Sequence, residues 1–351
     1  MNDTIFNSRQ EQILRLLKEK GSLSRSALSR LIVSKNKTSR VTIIRDLDRL
    51  IKSGFVVIQG RGRAIRYGLV KINPLLEYVD LGRYFKLVQK EGGTRPVFNS
   101  DIYLHLSSLY SKEEISLWEE GAKKFREGKE KLDPSIYKRE LERFVIELSW
   151  KSSQIEGNTY TLIETETLIK QNIQAQGHSE EEARMILNHK DAFDMILDKK
   201  ESFRKLDFSD VIQLHNVLTR GLVTSGVRSQ RVRITGTVYE PLSSKHDLED
   251  AVRKLIKYIN AVVYPPEKAL ILAAMVAYIQ PFADGNKRTA RMISNALLMA
   301  YDYPSLSYRN VDVNEYRSAL VIFYEINNLF HFKRIFMDQL EFVIENYFQR
   351  S

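Results

Sequence analysis

The stretch from residue 270 to residue 300 most constrains what this chain can fold into. It opens with an uncharged apolar run over 270–279 and returns to a mostly apolar run over 292–300. Between them lies the polar segment Gln280-Pro281-Phe282-Ala283-Asp284-Gly285-Asn286-Lys287-Arg288-Thr289-Ala290-Arg291. Apolar runs of this length are typical of buried helices. We therefore predict a polar loop fixed between two buried helices, where it is suited to hold a ligand.

Local signals in this loop predict an anion site. Pro281 ends the first helix, residues 284–286 form a turn, and Asn286 is a favourable N-cap for a second helix that begins near Lys287. The first turn of a helix carries unpaired N–H groups and the positive end of the helix dipole, so it attracts anions. We expect an anion to bind where the loop enters the second helix.

Charged side chains extend this site. Arg288 and Arg291 are three residues apart, so they share a helix face on which two guanidinium groups can hold neighbouring phosphate oxygens. Asp284 lies beside them, and a carboxylate there suits a divalent metal that bridges protein and phosphates. The loop is therefore interpreted as a nucleotide polyphosphate site.

The same stretch resembles the signature of the Fic family, His-x-Phe-x-(Asp/Glu)-Gly-Asn-(Gly/Lys)-Arg-x-x-Arg, and of its specified positions only the first differs. Fic proteins mostly transfer AMP from ATP to a hydroxyl of a target protein, and the signature histidine takes the proton from that hydroxyl. The resemblance implies ATP as substrate and Mg²⁺ at Asp284. It implies catalytic positions at Gln280, Asn286 and Arg288, and nucleotide contacts from Gly285, Asn286, Lys287, Arg288 and Arg291.

Gln280 stands where the family has its catalytic histidine. A side-chain amide has no basic nitrogen, so Gln280 can hydrogen-bond but cannot act as the general base. Removing such a base typically costs about 10²–10⁴-fold in rate. Whether this chain is an active enzyme is therefore open, and the sequence does not tell a natural glutamine from an engineered one.

A helix predicted from Ile136 ends in Ser152-Ser153-Gln154-Ile155-Glu156-Gly157. This end resembles the inhibitory motif (Ser/Thr)-x-x-x-Glu-(Gly/Asn) of Fic proteins, with Ser152, Glu156 and Gly157 at its specified positions. The resemblance implies that Glu156 pairs with Arg291 and keeps the ATP γ-phosphate from its productive position, since a carboxylate can occupy a guanidinium that would otherwise bind phosphate. By itself the pattern also fits a helix C-terminus closed by Gly157.

Residues 226–241 alternate apolar and polar side chains, which predicts a short hairpin. The segment resembles the flap of Fic proteins, against which a target segment can lie as an added strand. We assign target docking to Ile234, Gly236 and Tyr239, and Arg228 is a further side chain to test. A plain surface hairpin is the alternative.

The excess positive charge is confined to the N-terminal fifth of the chain. Residues 1–70 hold 15 of the 54 basic and 5 of the 44 acidic residues, so 39 of each remain and the whole net charge of +10 belongs to this segment. Such asymmetry indicates a polyanion partner.

The pattern of residues 1–70 resembles a winged helix-turn-helix: three helices, then strands near 55–58 and 64–67 around a basic turn. Val41, Ile44 and Leu47 are predicted to face inward on the third helix, and Ile43 outward. The third helix would enter the major groove of duplex DNA and the turn would reach phosphate or the minor groove. The predicted DNA-binding side chains are Arg40, Thr42, Arg45, Arg49, Arg61 and Arg63. A protein-docking module is the alternative.

Composition narrows the class of protein. No apolar run reaches the roughly 18 residues that span a bilayer, so we predict no membrane partner. The absence of cysteine fits a reducing cytoplasm, where we expect this protein. The six histidines lack the spacing of a metal site, and His189 and His215 are interpreted as structural.

These observations predict a mainly α fold: a winged helix-turn-helix domain (1–72), a connecting helical region (73–134), and a helical Fic domain (135–351) with an inhibitory helix and a small β-hairpin flap. Two functions stay open. The first is a Fic-type protein adenylyltransferase, autoinhibited by Glu156 and weakened or silenced at Gln280, that acts on Ser, Thr or Tyr hydroxyls. The second is a DNA-binding transcriptional regulator whose catalytically dead Fic domain senses nucleotide. Self-modification and a homodimer also stay open.

Overall fold

The computed structural model describes residues 6–33, 40–70, 73–88 and 96–348. The chain divides into two compact units, Met1–Pro74 and Leu75–Ser351. The mainly helical fold predicted from the sequence is confirmed. None of the helices in the described ranges is long and apolar enough to cross a membrane.

The first unit contains three helices and a hairpin. The helices are α1 (Ser8–Lys20), α2 (Arg25–Val33) and α3 (Arg40–Lys52), and the antiparallel strands are β1 (Val56–Gln59) and β2 (Arg66–Leu69). Val56 lies opposite Leu69 and Gln59 opposite Arg66, so the hairpin lies one to two residues later than predicted. Leu23 extends this sheet by an isolated bridge to Tyr67.

Two faces of α3 differ from the prediction. Ile43 was expected to face outward, but it is fully buried, and Val41, expected to face inward, is 57% exposed. The reason is helical spacing: Ile43, Leu47 and Leu50 recur every three or four residues and form the buried stripe, and Val41 falls off it. Opposite this stripe, Arg45 and Arg49 are exposed.

The second unit is built from eleven helices in the described residues. They are α4 (Leu81–Val88), α5 (Lys112–Lys131), α6 (Pro134–Ile155), α7 (Leu162–Gln171), α8 (Glu180–Asp198), α9 (Phe208–Leu218), α10 (Lys245–Ala261), α11 (Pro265–Ile279), α12 (Asn286–Ala300), α13 (Val313–Ile326) and α14 (Phe330–Asn346).

The helices α11 and α12 form the centre of this unit. Every residue of α11 from Pro266 to Ile279 is buried, as is nearly all of α12. The two helices pack on each other, α6, α8 and α9 pack on α12, and α10, α13 and α14 pack on α11. The predicted loop between two buried helices is therefore present, at the centre of the unit.

The segment 226–241 differs from the predicted hairpin. It forms no strand ladder, and its one β-bridge joins Glu240 to Val97 in parallel. Side chains instead bond backbone groups in and beside this segment. Arg228 donates to the carbonyls of Gln230 and Leu242, and Glu325 accepts from the N–H of Val238.

Candidate functional site

Gln280 ends α11 in a left-handed backbone conformation. Its φ and ψ are 54° and 55°, and its N–H donates to the carbonyl of Val276 at 3.2 Å, which closes the last turn. Its side chain folds back on the helix, because Nε2 donates to the carbonyl of Ala277 at 2.6 Å. The buried amide therefore fixes the point where α11 ends and the loop begins, and it is not basic enough to take a proton near neutral pH.

Arg228 ties the segment 226–241 to this loop. Its N–H donates to the carbonyl of Pro281 at 3.0 Å and its Nε to the carbonyl of Gln280 at 2.8 Å. Its other two nitrogens donate to Gln230 and Leu242, at 2.6 and 2.5 Å. Because Arg228 is buried, these bonds fix both the loop and the segment.

The start of α12 differs from the prediction, because its N-cap is Gly285 and Asn286 is its first residue. Gly285 has φ 78°, and a Cβ here would lie 2.6 Å from Cγ2 of Thr219, so glycine is required. Asn286 instead clamps the loop: Oδ1 accepts from the N–H of Phe282 at 2.9 Å and Nδ2 donates to its carbonyl at 2.8 Å. No side chain at the N-cap covers the first N–H groups of α12, which suits this turn to an anion.

His215 supports the loop from α9. Its ring stacks on Phe282 with centroids 3.6 Å apart and planes inclined by 9°, and its Nε2 lies 3.0 Å from the carbonyl oxygen of Asp284. A carbonyl only accepts, so Nε2 carries the hydrogen. Burial lowers the pKa of His215, which keeps the ring neutral and structural.

Arg288 is buried at the base of the loop. Its side chain is 2% exposed, whereas that of Asp284 is 67% exposed. Nη2 donates to Oδ2 of Asp284 at 2.9 Å, but Nη1 has no hydrogen-bond partner among the residues that the structure describes. A buried guanidinium nitrogen without a partner is costly unless a ligand completes its hydrogen bonding. Arg288 is therefore suited to bind an anion.

Arg291 is held by the C-terminal turn of α6. Its Nη2 donates to the carbonyl of Ser152 and to Oε1 of Glu156, both at 2.9 Å, and its Nε donates to Oγ of Ser152 at 3.0 Å. Its Nη1 lies 3.3 Å from the hydroxyl of Tyr316. The donors that could hold phosphate are thus occupied by the protein itself.

Glu156 bridges two cations of α12. Its Oε2 lies 2.8 Å from Nζ of Lys287, and its Oε1 bonds Arg291. Burial raises the pKa of Glu156, but Arg291 and Lys287 outweigh burial and lower that pKa to about 2. The carboxylate is therefore ionised at neutral pH and competes directly with an anionic ligand for both side chains.

The predicted docking residues lie in different environments. Tyr239 is 3% exposed, because its ring stacks on Tyr278 and its hydroxyl donates to the carbonyl of Tyr278 at 2.9 Å. Ile234 is half-buried, and Gly236 is exposed with φ 86°. Beside Tyr239 is a cleft of about 380 Å³, whose lining includes Val97, Arg231, Arg233, Glu240 and Asp247.

In the first unit, Arg45, Arg49 and Arg61 are exposed and Thr42 is half-buried. The side chains of Arg40 and Arg63 lie outside the described part of the structure, as do residues 34–39. Across the described ranges, no group of three or more His, Cys, Asp or Glu side chains could hold a metal ion.

Comparison with known proteins adds to this geometry. The Fic/DOC family model matches residues 205–298, from before α9 to within α12. The protein adenylyltransferase Fic of Nematostella vectensis is 27% identical over 192 residues, which span 52% of this chain and 44% of that protein. The chain thus spans less than half the length of this relative.

Two solved structures share the fold. A fragment of Fic-1 from C. elegans superposes with a TM-score of 0.58 at 18% identity, over 67% of this chain and 72% of that one. A Fic domain containing signaling protein from Bacteroides thetaiotaomicron gives a TM-score of 0.51 at 22% identity, over 67% and 96%. The family model and the structural neighbours together support a Fic domain.

The candidate site contains interactions that sequence reasoning missed. Thr219 forces glycine at position 285, and Lys287 is a second partner of Glu156. His189 was interpreted only as structural, yet its Nε2 lies 2.9 Å from Oγ of Ser152, the residue that bonds Arg291. No spacing signal could have revealed these pairs, because their members belong to different helices or are far apart in the chain.

Proposed function

We propose that this chain is an ATP-binding Fic-type protein whose phosphate site is closed by its own Glu156, and whose transfer of AMP is impaired at Gln280. The contrast between the two arginines carries the proposal. Arg288 keeps a buried nitrogen without a partner among the described residues, whereas Arg291 is occupied by Ser152 and Glu156. A polyphosphate would complete the hydrogen bonding of Arg288. To bind Arg291 as well, it must displace Glu156 from that arginine.

The loop fits a magnesium–nucleotide complex. Asp284 presents a mostly exposed carboxylate next to the uncapped first turn of α12. Proteins usually bind Mg²⁺ through one or two carboxylates together with substrate phosphates, so Asp284 would hold the ion against the nucleotide. Bound there, Mg²⁺ would neutralise phosphate charge. Gly285, Asn286, Lys287, Arg288 and Arg291 would supply the protein's own contacts to the phosphates.

Transfer of AMP needs an acceptor for a proton. A Ser, Thr or Tyr hydroxyl of the target attacks the α-phosphorus, pyrophosphate leaves, and the hydroxyl proton must go to a base. Gln280 cannot take it, and this loss costs about 10²–10⁴-fold in rate. The site can still position the reactants and stabilise the charge of the transition state. The chain should therefore bind nucleotide and transfer AMP slowly or not at all.

The test restores the missing base. Labelled ATP and Mg²⁺ are incubated with the full chain, with Gln280→His, and with Gln280→His/Glu156→Gly, in the presence of a cell lysate. The double variant should label itself or a lysate protein, and Arg288→Ala in that background should abolish the label. If neither restored variant labels anything, the adenylyltransferase proposal is wrong.

The second candidate is a DNA-binding regulator whose Fic domain senses nucleotide. It is favoured by the exposed Arg45 and Arg49 on α3, by the exposed Arg61 in the turn between β1 and β2, and by the +10 charge of residues 1–70. The cation-rich face would bind phosphates of duplex DNA with a steep dependence on salt.

This candidate is tested on the full chain with duplex DNA at several salt concentrations. Arg45→Ala/Arg49→Ala should weaken DNA binding. The slope of log affinity against log salt concentration should become shallower by about one unit for each arginine–phosphate pair that is removed. Lys123→Ala/Lys131→Ala, which removes two cations that lie near Glu127 on α5, is the matched control. Absence of binding at low salt would exclude the DNA role.

A further inference from the structure

His189 is a fully buried histidine next to the closed phosphate site. It lies in α8, and its Nδ1 is 2.8 Å from the carbonyl oxygen of Met185, one helical turn earlier. Because a carbonyl oxygen only accepts, Nδ1 carries a hydrogen. Oγ of Ser153 is a more distant neighbour of the same nitrogen, at 3.4 Å.

The other ring nitrogen faces Ser152. Burial lowers the pKa of His189 to about 3, with Arg288 and Arg291 adding to the effect, so the ring carries one hydrogen and Nε2 is bare. At 2.9 Å, Nε2 can only accept the hydroxyl hydrogen of Ser152. The lone pairs of Ser152 Oγ are then left for a donor.

That donor is Arg291. Its Nε donates to Ser152 Oγ at 3.0 Å, so one directed chain of hydrogen bonds runs from Arg291 through Ser152 and His189 to the carbonyl of Met185. It joins α12, α6 and α8. Linked bonds of this kind are directional, and each member fixes the proton of the next.

We propose that His189 is a positioning residue of the closed state: by taking the proton of Ser152 it fixes that hydroxyl as an acceptor and helps to hold Arg291 on α6, away from nucleotide phosphates. This inference rests on the proposed function, because it assumes that ATP and α6 compete for Arg291. Without the imidazole, the serine hydroxyl can turn to another acceptor, such as a carbonyl of its own helix, and one bond to Arg291 weakens.

The variants separate this role from simple packing. His189→Leu removes the acceptor, and His189→Gln keeps one at the end of a side chain of similar reach. Ser152→Ala removes the group through which His189 acts, and Glu156→Gly is the reference for an opened site. Each full-length variant is titrated with ATP and Mg²⁺ by calorimetry, and its thermal unfolding is recorded.

We expect His189→Leu to bind ATP about three- to tenfold more tightly than the unchanged chain, as the loss of one net hydrogen bond implies. His189→Gln should stay within about twofold of the unchanged chain, since it retains an acceptor. In the Ser152→Ala background, His189→Leu should change ATP affinity no further, whereas a packing effect would appear equally in both backgrounds.

Two results would overturn the inference while leaving the proposed function intact: unchanged affinity in His189→Leu when Glu156→Gly binds ATP more tightly, or an equal effect of His189→Leu with and without Ser152. If Glu156→Gly itself binds ATP no better than the unchanged chain, the proposed closure by Glu156 fails, and the role of His189 fails with it.

Discussion

At the scale of single residues, the site depends on side chains that few other residue types could replace. Gly285 has a left-handed φ and lies against Thr219, so any side chain there meets both backbone strain and a clash. Glu156 stays ionised in a half-buried position because Lys287 and Arg291 pair with it. These residues set the shape and the charge of the proposed phosphate site.

Gly285→Ala should destabilise the fold by about 2–6 kcal/mol, the sum of positive-φ strain and overpacking. Gly236→Ala is the matched control, since Gly236 has φ 86° but a Cβ at this position would meet no atom within 4 Å, so only the strain applies. Chemical denaturation of both variants measures the difference. Equal losses would mean that Thr219 moves aside at no cost.

Glu156 should give a pH-dependent contribution to stability. Its pKa is about 2 in the folded protein and 4.5 in its ordinary state, so its stabilisation is present above pH 4.5 and is lost as pH falls towards 2. The difference in unfolding free energy between the unchanged chain and Glu156→Gln should shrink through that window by about 2–3 kcal/mol. A difference that does not vary with pH would contradict the pairing.

At the scale of elements, the segment 226–241 is held by side chains rather than by a strand ladder. Arg228 reaches three carbonyls, of Gln280, Gln230 and Leu242, and Glu325 accepts from Thr237 and Val238. The segment therefore depends on two buried or half-buried anchors, with no regular partner strand along its length.

Arg228→Ala should loosen both the segment and the start of the loop, because three carbonyls lose their donor at about 1–3 kcal/mol for each one left buried. Hydrogen exchange of residues 229–242 should rise steeply. Arg231→Ala, at an exposed position of the same segment, should leave exchange unchanged. Equal exchange in the two variants would show that Arg228 is not the anchor.

At the scale of the whole molecule, the two units have separate cores. In the first unit Asp46 is 4% exposed and accepts from Gln10 at 3.1 Å and from Asn7 at 3.3 Å, with Arg9 as a third partner. Asn7 and Gln10 also form the capping box of α1. One buried carboxylate thus orients α3 against the start of α1.

Asp46→Ala should destabilise the first unit by about 1–3 kcal/mol, because the buried Gln10 loses its acceptor, whereas Asn7 and Arg9 remain accessible to water. Amide exchange over 8–33 and 40–70 should accelerate while exchange over 96–348 stays unchanged. Asp48→Ala, at an exposed position of the same helix, is the control. Acceleration in both units would show that they do not unfold separately.

Local pattern was sufficient for much of this fold. The uncharged run over 270–279 and the apolar run over 292–300 predicted two buried helices, and both are present as α11 and α12. Arg288 and Arg291 both lie in α12, as the spacing predicted, but the helix begins at Asn286 rather than near Lys287. These features depend on neighbours within one or two helical turns, which a sequence shows directly.

Other features depended on partners that are far apart in the chain. Asn286 clamps Phe282 instead of capping α12, because Gly285 already turns the chain into the helix. The segment 226–241 is held by Arg228 and Glu325 rather than by backbone pairing, and spacing cannot reveal these contacts.

The sequence by itself determined that a polar loop lies between two buried helices, and it placed Gln280 where the resembled family has its base. The family resemblance already implied that Glu156 pairs with Arg291, but only the tertiary structure showed that Ser152 bonds the same arginine and that Lys287 shares Glu156. Ser152 and Glu156 reach Arg291 across 139 and 135 residues, and His189 joins them from a third helix. Contacts over such distances arise when helices pack, because burial of their polar groups requires partners that local spacing does not specify.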